Sequence, residues 1–175
     1  MIARSARMRN VNFTKVGFEN YKNYTELTEY QFIQDTISIV TGPNGSGKTS
    51  MFDAIPFCLF GSTPDGRTSD DVVNDRIGKN CQVYVEFNIN DDKYRVERYV
   101  KYKKYGTLAL LYKNDFSNPI KKGHREVLSE IENIFLSEKL FSNVLFFGQK
   151  VKTFFTDLKD TERKEIFREV LPLDE

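Results

Sequence analysis

Gly42-Pro43-Asn44-Gly45-Ser46-Gly47-Lys48-Thr49 decides how the rest of this 175-residue chain is read. The eight residues satisfy G-x-x-x-x-G-K-[ST], the phosphate-binding P-loop pattern. Before them, residues 36–41 (Thr-Ile-Ser-Ile-Val-Thr) are β-branched and apolar, as a buried parallel strand requires. After them, Ser50-Met51-Phe52-Asp53-Ala54-Ile55 opens a helix with no breaker before Pro56. Glycines let the backbone curl until successive N–H groups converge on an anion, and the positive end of the helix dipole adds to that attraction. The pattern therefore predicts a nucleoside triphosphate site built from Asn44, Gly45, Ser46, Gly47, Lys48, Thr49 and Ser50. Lys48 would set its ammonium on the β- and γ-phosphates, and the Thr49 hydroxyl would ligate Mg²⁺. ATP and Mg²⁺ are the cofactors this reading expects.

Bulk properties remove several other classes. The length favours one domain with a real core. A net charge of +1 leaves nucleic-acid binding to a local patch rather than to the whole surface. Cys58 and Cys81 lack C-x-x-C spacing and read as buried thiols of a reducing cytosol. His124 is the single histidine, which excludes a histidine-based triad and most zinc sites. No apolar run approaches membrane-spanning length and the start lacks a signal-peptide core, so a soluble intracellular protein is expected.

Working outward from the P-loop, its helix is predicted over residues 47–60, with Pro56 kinking or shortening it. Upstream, residues 8–18 read as a strand, 17–24 as a turn rich in Gly and Asn, and 24–32 as a second strand. Downstream, residues 61–78 form a long polar connection of the functional or disordered kind. Residues 81–89 alternate cleanly, with Val83, Val85, Phe87 and Ile89 on one face. Asn90-Asp91-Asp92 turns the chain, and residues 93–101 return as the partner of a hairpin. A further strand follows at 107–113 and a helix at 125–135, where Val127, Leu128, Ile131, Ile134 and Phe135 keep helical spacing. Residues 141–147 are apolar and aromatic, a strand or a buried helix end. Residues 160–171 start with an N-cap and early acids, and helix is expected there.

Three further signals bear on function. Between Asp91 and Arg125 stand Lys93, Arg95, Arg98, Lys101, Lys103, Lys104, Lys113, Lys121, Lys122 and Arg125 against four acids, with Tyr94, Tyr99, Tyr102, Tyr105 and Tyr112 interleaved. Lysines that neutralise phosphates and release counterions are one reading of this run. Edge lysines that block aggregation are the other. Within it, Lys101, Lys103, Lys104, Lys121 and Lys122 are the DNA-binding candidates. Gln149 closes an apolar stretch, where a P-loop ATPase can place a glutamine on Mg²⁺ and the attacking water, although an ordinary polar strand end reads the same way. The third signal is a gap. No clean run of four apolar residues ends in the carboxylate that such an enzyme needs on a second strand, because Phe154-Phe155-Thr156-Asp157 is interrupted by Thr and residues 170–175 by Pro172. The chain is expected to hold an incomplete catalytic site.

Taken together, these stations resemble the N-terminal ATPase lobe of the SMC-like recombination and repair ATPases, the SbcC type with its phage relatives. The resemblance runs from about Met8 to Glu175. It rests on Gly17-Phe18-Glu19-Asn20-Tyr21, the P-loop with Asp53-Ala54-Ile55, Leu59-Phe60-Gly61, and Val73-Asn74-Asp75. It continues through Tyr94-Arg95-Val96-Glu97-Arg98, Phe146-Phe147-Gly148-Gln149 and Glu162-Arg163-Lys164-Glu165-Ile166-Phe167. It implies a single N-terminal lobe over 1–175, with a P-loop core at about 8–78 and 140–175, an antiparallel basic hairpin region at about 81–122, and a coiled coil beyond the end. It further implies that Lys48 and Gln149 are the catalytic pair, that Thr49 and Gln149 ligate the metal, and that Val73 and Asp75 lie near the nucleotide base. The implied partners are the protein's own C-terminal lobe, a second head closed on ATP, an SbcD-type metallophosphatase nuclease and double-stranded DNA. The implied location is the cytoplasm of a bacterial or phage-infected cell, or its nucleoid. One departure stands out: where many relatives carry a basic residue after the first strand, this chain has Glu19, so that Lys15 or Lys22 substitutes or the contact is lost.

The fold expected is α/β, a P-loop NTPase half of ABC/SMC type with a mixed parallel and antiparallel sheet. The function expected is the ATP-binding half of a double-strand-break repair ATPase that dimerises on ATP and regulates a nuclease on DNA. A small-molecule P-loop kinase and a non-enzymatic SMC-like DNA tether are the competing readings.

Overall fold

The computed structural model describes residues 11–135, 137–142, 156 and 158–170. Among these, six strands form one sheet in the order β2-β1-β3-β4-β5-β6. They are β1 (Val11–Glu19), β2 (Thr28–Gln31), β3 (Cys81–Ile89), β4 (Asp92–Tyr102), β5 (Gly106–Lys113) and β6 (Lys121–Lys122). Every neighbouring pair is antiparallel. The helices are α1 (Lys48–Phe60), α2 (His124–Phe135), the short α3 (Glu138–Leu140) and α4 (Asp160–Val170).

Period-two alternation fixes which face is buried. Val83, Val85 and Phe87 of β3 and Val96 and Val100 of β4 all belong to one core, with Ala109 and Leu111 of β5. Strict alternation along β1 would put Phe13 and Val16 on opposite faces. A register shift between Phe13 and Lys15 lets both residues join that core. Helix α1 is apolar on nearly all sides and packs on β3, β1 and β4, while α2 covers β5 with Val127 and Ile131.

One expectation holds and one changes. Helix α1 runs through Pro56 to Phe60 and ends where Gly61, at φ 94°, donates its N–H to the Phe57 carbonyl. Residues 36–41 form no strand and are exposed, with Ile37 at 94% and Ile39 at 82%. A strand exists only where neighbours pair its N–H and C=O groups, and none of the described strands lies alongside this segment. The parallel part of the expected sheet is accordingly not formed among the described residues. The hairpin region at 81–122 and strands β1 and β2 share a single sheet.

Candidate nucleotide site

Glycine geometry shapes the loop at the head of α1. Gly45 has φ 81° and Gly47 φ 95°, left-handed values that L side chains rarely adopt. At Gly47 a Cβ would also sit 2.7 Å from the Tyr24 hydroxyl oxygen, which donates to the Gly47 carbonyl at 3.3 Å. Asn23 Nδ2 donates to the Gly45 carbonyl at 3.2 Å. The turn after β1 thus holds the P-loop by two of its own carbonyls. Lys48 folds back across the loop, its Nζ donating to the carbonyls of Gly42 and Pro43 at 2.8 Å each. A left-handed N-cap residue followed by the N–H groups of α1 is a cradle that fits a phosphate.

Beside the cradle lies a cavity of about 260 Å³. Thr49 and Ser50 form one wall, Val73 and Asp75 belong to another, and Lys22 and Asp53 also line it. Helix periodicity and a set of long-range hydrogen bonds bring these residues together. Thr49 and Asp53 are four apart on α1 and share a helix face. The 72–74 segment is stitched to the turn after β1: Lys22 N–H donates to the Val72 carbonyl at 2.7 Å, Asn74 N–H to the Asn20 carbonyl at 2.8 Å, and Asn74 Nδ2 to the Lys22 carbonyl at 2.6 Å. The long polar connection therefore contains an ordered element, a 3-10 turn at Ser69–Val72 that buries Val72.

Lys22 Nζ meets Asp53 Oδ2 at 2.6 Å, and both side chains are nearly buried, 9% and 10% exposed. Burial pushes the Asp53 carboxyl above its ordinary value, while the hydrogen bond and charge of Lys22 pull it back down. Asp65, on the same cavity, is pushed up by burial too. There the Thr63 hydroxyl, Lys22 and Arg67 prevail and hold it below the usual carboxylate range. Glu19 lies elsewhere, in a separate hollow with Asn80, Tyr102, Lys103 and Lys104, and Lys15 pairs with Glu29 at 3.8 Å. Of the two lysines that the sequence offered as substitutes, Lys22 is the one that lines the cavity beside Thr49. Gln149 lies outside the described residues, so the proposed metal pair is represented by Thr49.

The basic run divides. Arg98 turns inward from β4 between Val96 and Val100 and is 5% exposed. Its Nε donates to the Cys58 carbonyl at 3.1 Å and its Nη2 to the Leu59 carbonyl at 3.3 Å, satisfying the open C-terminal end of α1. Arg95 pairs with Glu86 and Glu97, and Lys113 with Asp92 at 2.8 Å. Lys101 contacts Asp70 at 3.0 Å but stays half exposed. Lys103 and Lys104 sit exposed at the β4–β5 turn, and Lys121 and Lys122 form edge strand β6. The run is therefore partly structural; the five DNA-binding candidates lie outside the core, as do Lys93 and Arg125.

Residue contacts that sequence reading missed are Lys22 with Asp53, and Arg98 with α1. A signal existed for each: the i, i+4 spacing of Asp53 from Thr49, and the parity of Arg98 with Val96 and Val100. Arg98 Nη1 lies 2.8 Å from His124 Nδ1, making that nitrogen the acceptor. Partial burial and the Arg98 charge lower the His124 pKa from 6.5. The folded state then binds fewer protons than the unfolded chain, so this contribution is complete above about pH 6.5 and is lost as pH falls below it. Urea midpoints measured between about pH 7.5 and 5 should fall more steeply for the native sequence than for His124→Asn, which keeps an acceptor without a titration. Equal slopes would refute the coupling.

The loop ahead of α1 and the sheet it packs on fit the fold of a P-loop NTPase head of SMC type. The chain belongs to the AAA domain family, whose model matches residues 15–171. Its curated relatives include a DNA double-strand break repair Rad50 ATPase of Methanocaldococcus jannaschii, 28% identical over 92% of this chain and 15% of that protein. A probable Rad50 ATPase of Aquifex aeolicus is 30% identical over 96% of this chain and 17% of its own length. The SbcC component of the nuclease SbcCD of Staphylococcus haemolyticus is 31% identical over 55% of this chain and 10% of that protein. The chain thus spans roughly one sixth of the Rad50 relatives it matches. A solved structure from work on ATP-driven dimerization and DNA-stimulated activation of SMC ATPases shares the fold at TM-score 0.57 and 17% identity, covering 91% of this chain and 99% of that one.

Proposed function

We propose that this chain is the ATP-binding N-terminal lobe of a DNA double-strand-break repair ATPase of the Rad50/SbcC type. The observation that carries the reading is the pairing of a formed phosphate cradle with an unformed strand: the P-loop is shaped, while Ile37 and Ile39 just before it stand exposed. An apolar segment feeding a nucleotide site is what a C-terminal lobe of the same protein would cover by adding strands beside it. Bound ATP supplies the transferable phosphoryl group. Lys48 would hold the phosphate end, Thr49 with Gln149 would hold Mg²⁺, and Val73 and Asp75 would lie near the base.

Closure of two such heads on ATP, with Lys101, Lys103, Lys104, Lys121 and Lys122 touching double-stranded DNA and an SbcD-type nuclease as partner, completes the proposal. The Rad50 and SbcC names of the relatives support it over the kinase and tether readings. Action in the cytoplasm or at the nucleoid belongs to the same reading. Among the described residues no helix is long and apolar enough to cross a membrane.

ATP turnover, measured on this chain alone and after mixing with the C-terminal lobe of the same protein, tests the proposal. Turnover is expected only in the mixture. Comparable turnover without the second lobe would place the catalytic carboxylate within these residues and favour the kinase reading.

A further inference from the structure

The turn between β4 and β5 gathers aromatic rings that the main core does not use. Strict alternation along β4 would put Tyr99 and Tyr102 on opposite faces. A register shift between them, with Lys101 at φ 48°, brings the two rings together instead, their centroids 5.0 Å apart. A left-handed lysine carries a steric penalty, and a bulge of this kind re-aims a side chain. Tyr105 joins the same group. Its N–H donates to the Tyr102 carbonyl at 3.2 Å, and its ring centroid lies 4.5 Å from that of Tyr99 and 5.8 Å from that of Tyr102. Tyr99 is the fixed base of the group: it is 5% exposed, its hydroxyl donates to Glu97 Oε2 at 2.7 Å, and Gln82 Nε2 donates to that hydroxyl at 3.3 Å. Tyr105 is the outward ring, 36% exposed. Tyr99 and Tyr102 cluster with Leu108, Leu110 and Tyr112, and no described helix contributes a residue to that cluster.

The surroundings of these rings are cationic. Lys104 Nζ lies 4.9 Å from the centre of the Tyr105 ring, and Lys103 and Lys104 line a hollow beside Tyr102 with a single carboxylate, that of Glu19. Both lysines are exposed. We propose that Tyr102 and Tyr105 form a stacking platform for an unpaired base of a DNA strand, with Lys103 and Lys104 on the phosphates that flank it. Every base has a π-face, and rings already packed against one another can stack on it with little further loss of freedom. Lysines by themselves suffice for a duplex, whose bases cover one another everywhere except at its ends. Outward rings beside them suit a strand that is single at this point, an overhang or an opened end. The incoming base would take the place of Lys104 on the Tyr105 ring. An exposed cation–π contact is weaker than base–aromatic stacking, and the released ammonium is then free for a phosphate. The proposal rests on the DNA reading given above for Lys103 and Lys104, and adds the kind of strand that this part of the surface takes.

Equilibrium binding of three labelled probes with equal numbers of phosphates is the test: oligothymidylate, the same strand built of abasic residues, and a duplex closed by hairpins at both ends. The proteins are the native chain, Tyr105→Leu, Tyr105→Phe and the double variant Lys103→Gln with Lys104→Gln, each checked by thermal melting. The native chain should bind oligothymidylate about 5- to 150-fold more tightly than the abasic strand, the scale of one base–aromatic stack. Tyr105→Leu should lose that margin and keep the abasic and duplex affinities, while Tyr105→Phe should restore it. The double lysine variant should weaken binding of all three probes and flatten its salt dependence. Equal native affinity for the oligothymidylate and abasic strands would overturn the platform. So would a Tyr105→Leu loss that falls equally on the closed duplex. Self-association of the native chain that Tyr105→Leu abolishes, with oligothymidylate binding unchanged, would make the rings an interface between copies and overturn it too. Native binding to none of the probes would overturn the DNA reading itself, and the platform with it.

Discussion

Lys48→Ala should reduce ATP turnover of the head reconstituted with its C-terminal lobe by about 10²- to 10³-fold, the scale at which one preorganised electrostatic contact to a transition state is lost. The structure separates this effect from folding. Lys48 Nζ donates only to loop carbonyls, those of Gly42 and Pro43, and both residues are exposed, so water replaces the ammonium at little cost. The melting temperature of the variant should therefore match the native value while turnover collapses. Steady-state phosphate release and a melting curve on the same preparation decide the point. Turnover within about threefold of native would remove Lys48 from the chemistry and with it the P-loop as the catalytic centre.

Arg98→Met should show the opposite signature, a large loss of stability. The substitution keeps an unbranched apolar stem but leaves the Cys58 and Leu59 carbonyls without their guanidinium donors at the buried end of α1. Each buried acceptor left unsatisfied costs about 1–3 kcal/mol, so a loss of about 2–6 kcal/mol is expected from the pair. Against a typical total of about 5–15 kcal/mol, that endangers the whole domain. Arg98→Lys should recover only part of it, since a compact ammonium cannot span two carbonyls and the His124 ring as the planar fork does. Urea denaturation provides the measurement, and a shift below about 0.5 kcal/mol, the range of ordinary surface substitutions, would show that the end of α1 is satisfied in another way.

These two basic residues illustrate how far a linear reading reaches. Lys48 is legible because its neighbours in sequence are also its neighbours in space: glycines, lysine and threonine of one loop act within eight residues. Arg98 stands in a run of lysines, arginines and tyrosines, and composition groups it with them. Its parity within β4 assigns it to the other face, beneath α1. The hairpin of β3 and β4 was readable for the same reason as the P-loop, since period-two alternation is a local property. Helix α2 was readable from 3.6-residue spacing, and the observed bounds differ from the expected ones by a single residue.

By itself, the sequence determined the phosphate cradle, the antiparallel hairpin, the amphipathic helix and, through their order along the chain, the family. All of these follow from short-range chemistry: left-handed glycines, alternation and helical spacing. Tertiary structure alone decided the rest. Residues 36–41 have every intrinsic preference for a strand, yet a strand is a relation between segments, and among the described residues no partner lies beside them. Lys22 and Asp53 are 31 positions apart and carry no shared pattern; they meet because the turn after β1 folds onto the first turns of α1. Which basic side chains line the cavity beside α1, which cap a helix and which face solvent depends on strand order and register, long-range quantities that a local window of residues does not contain.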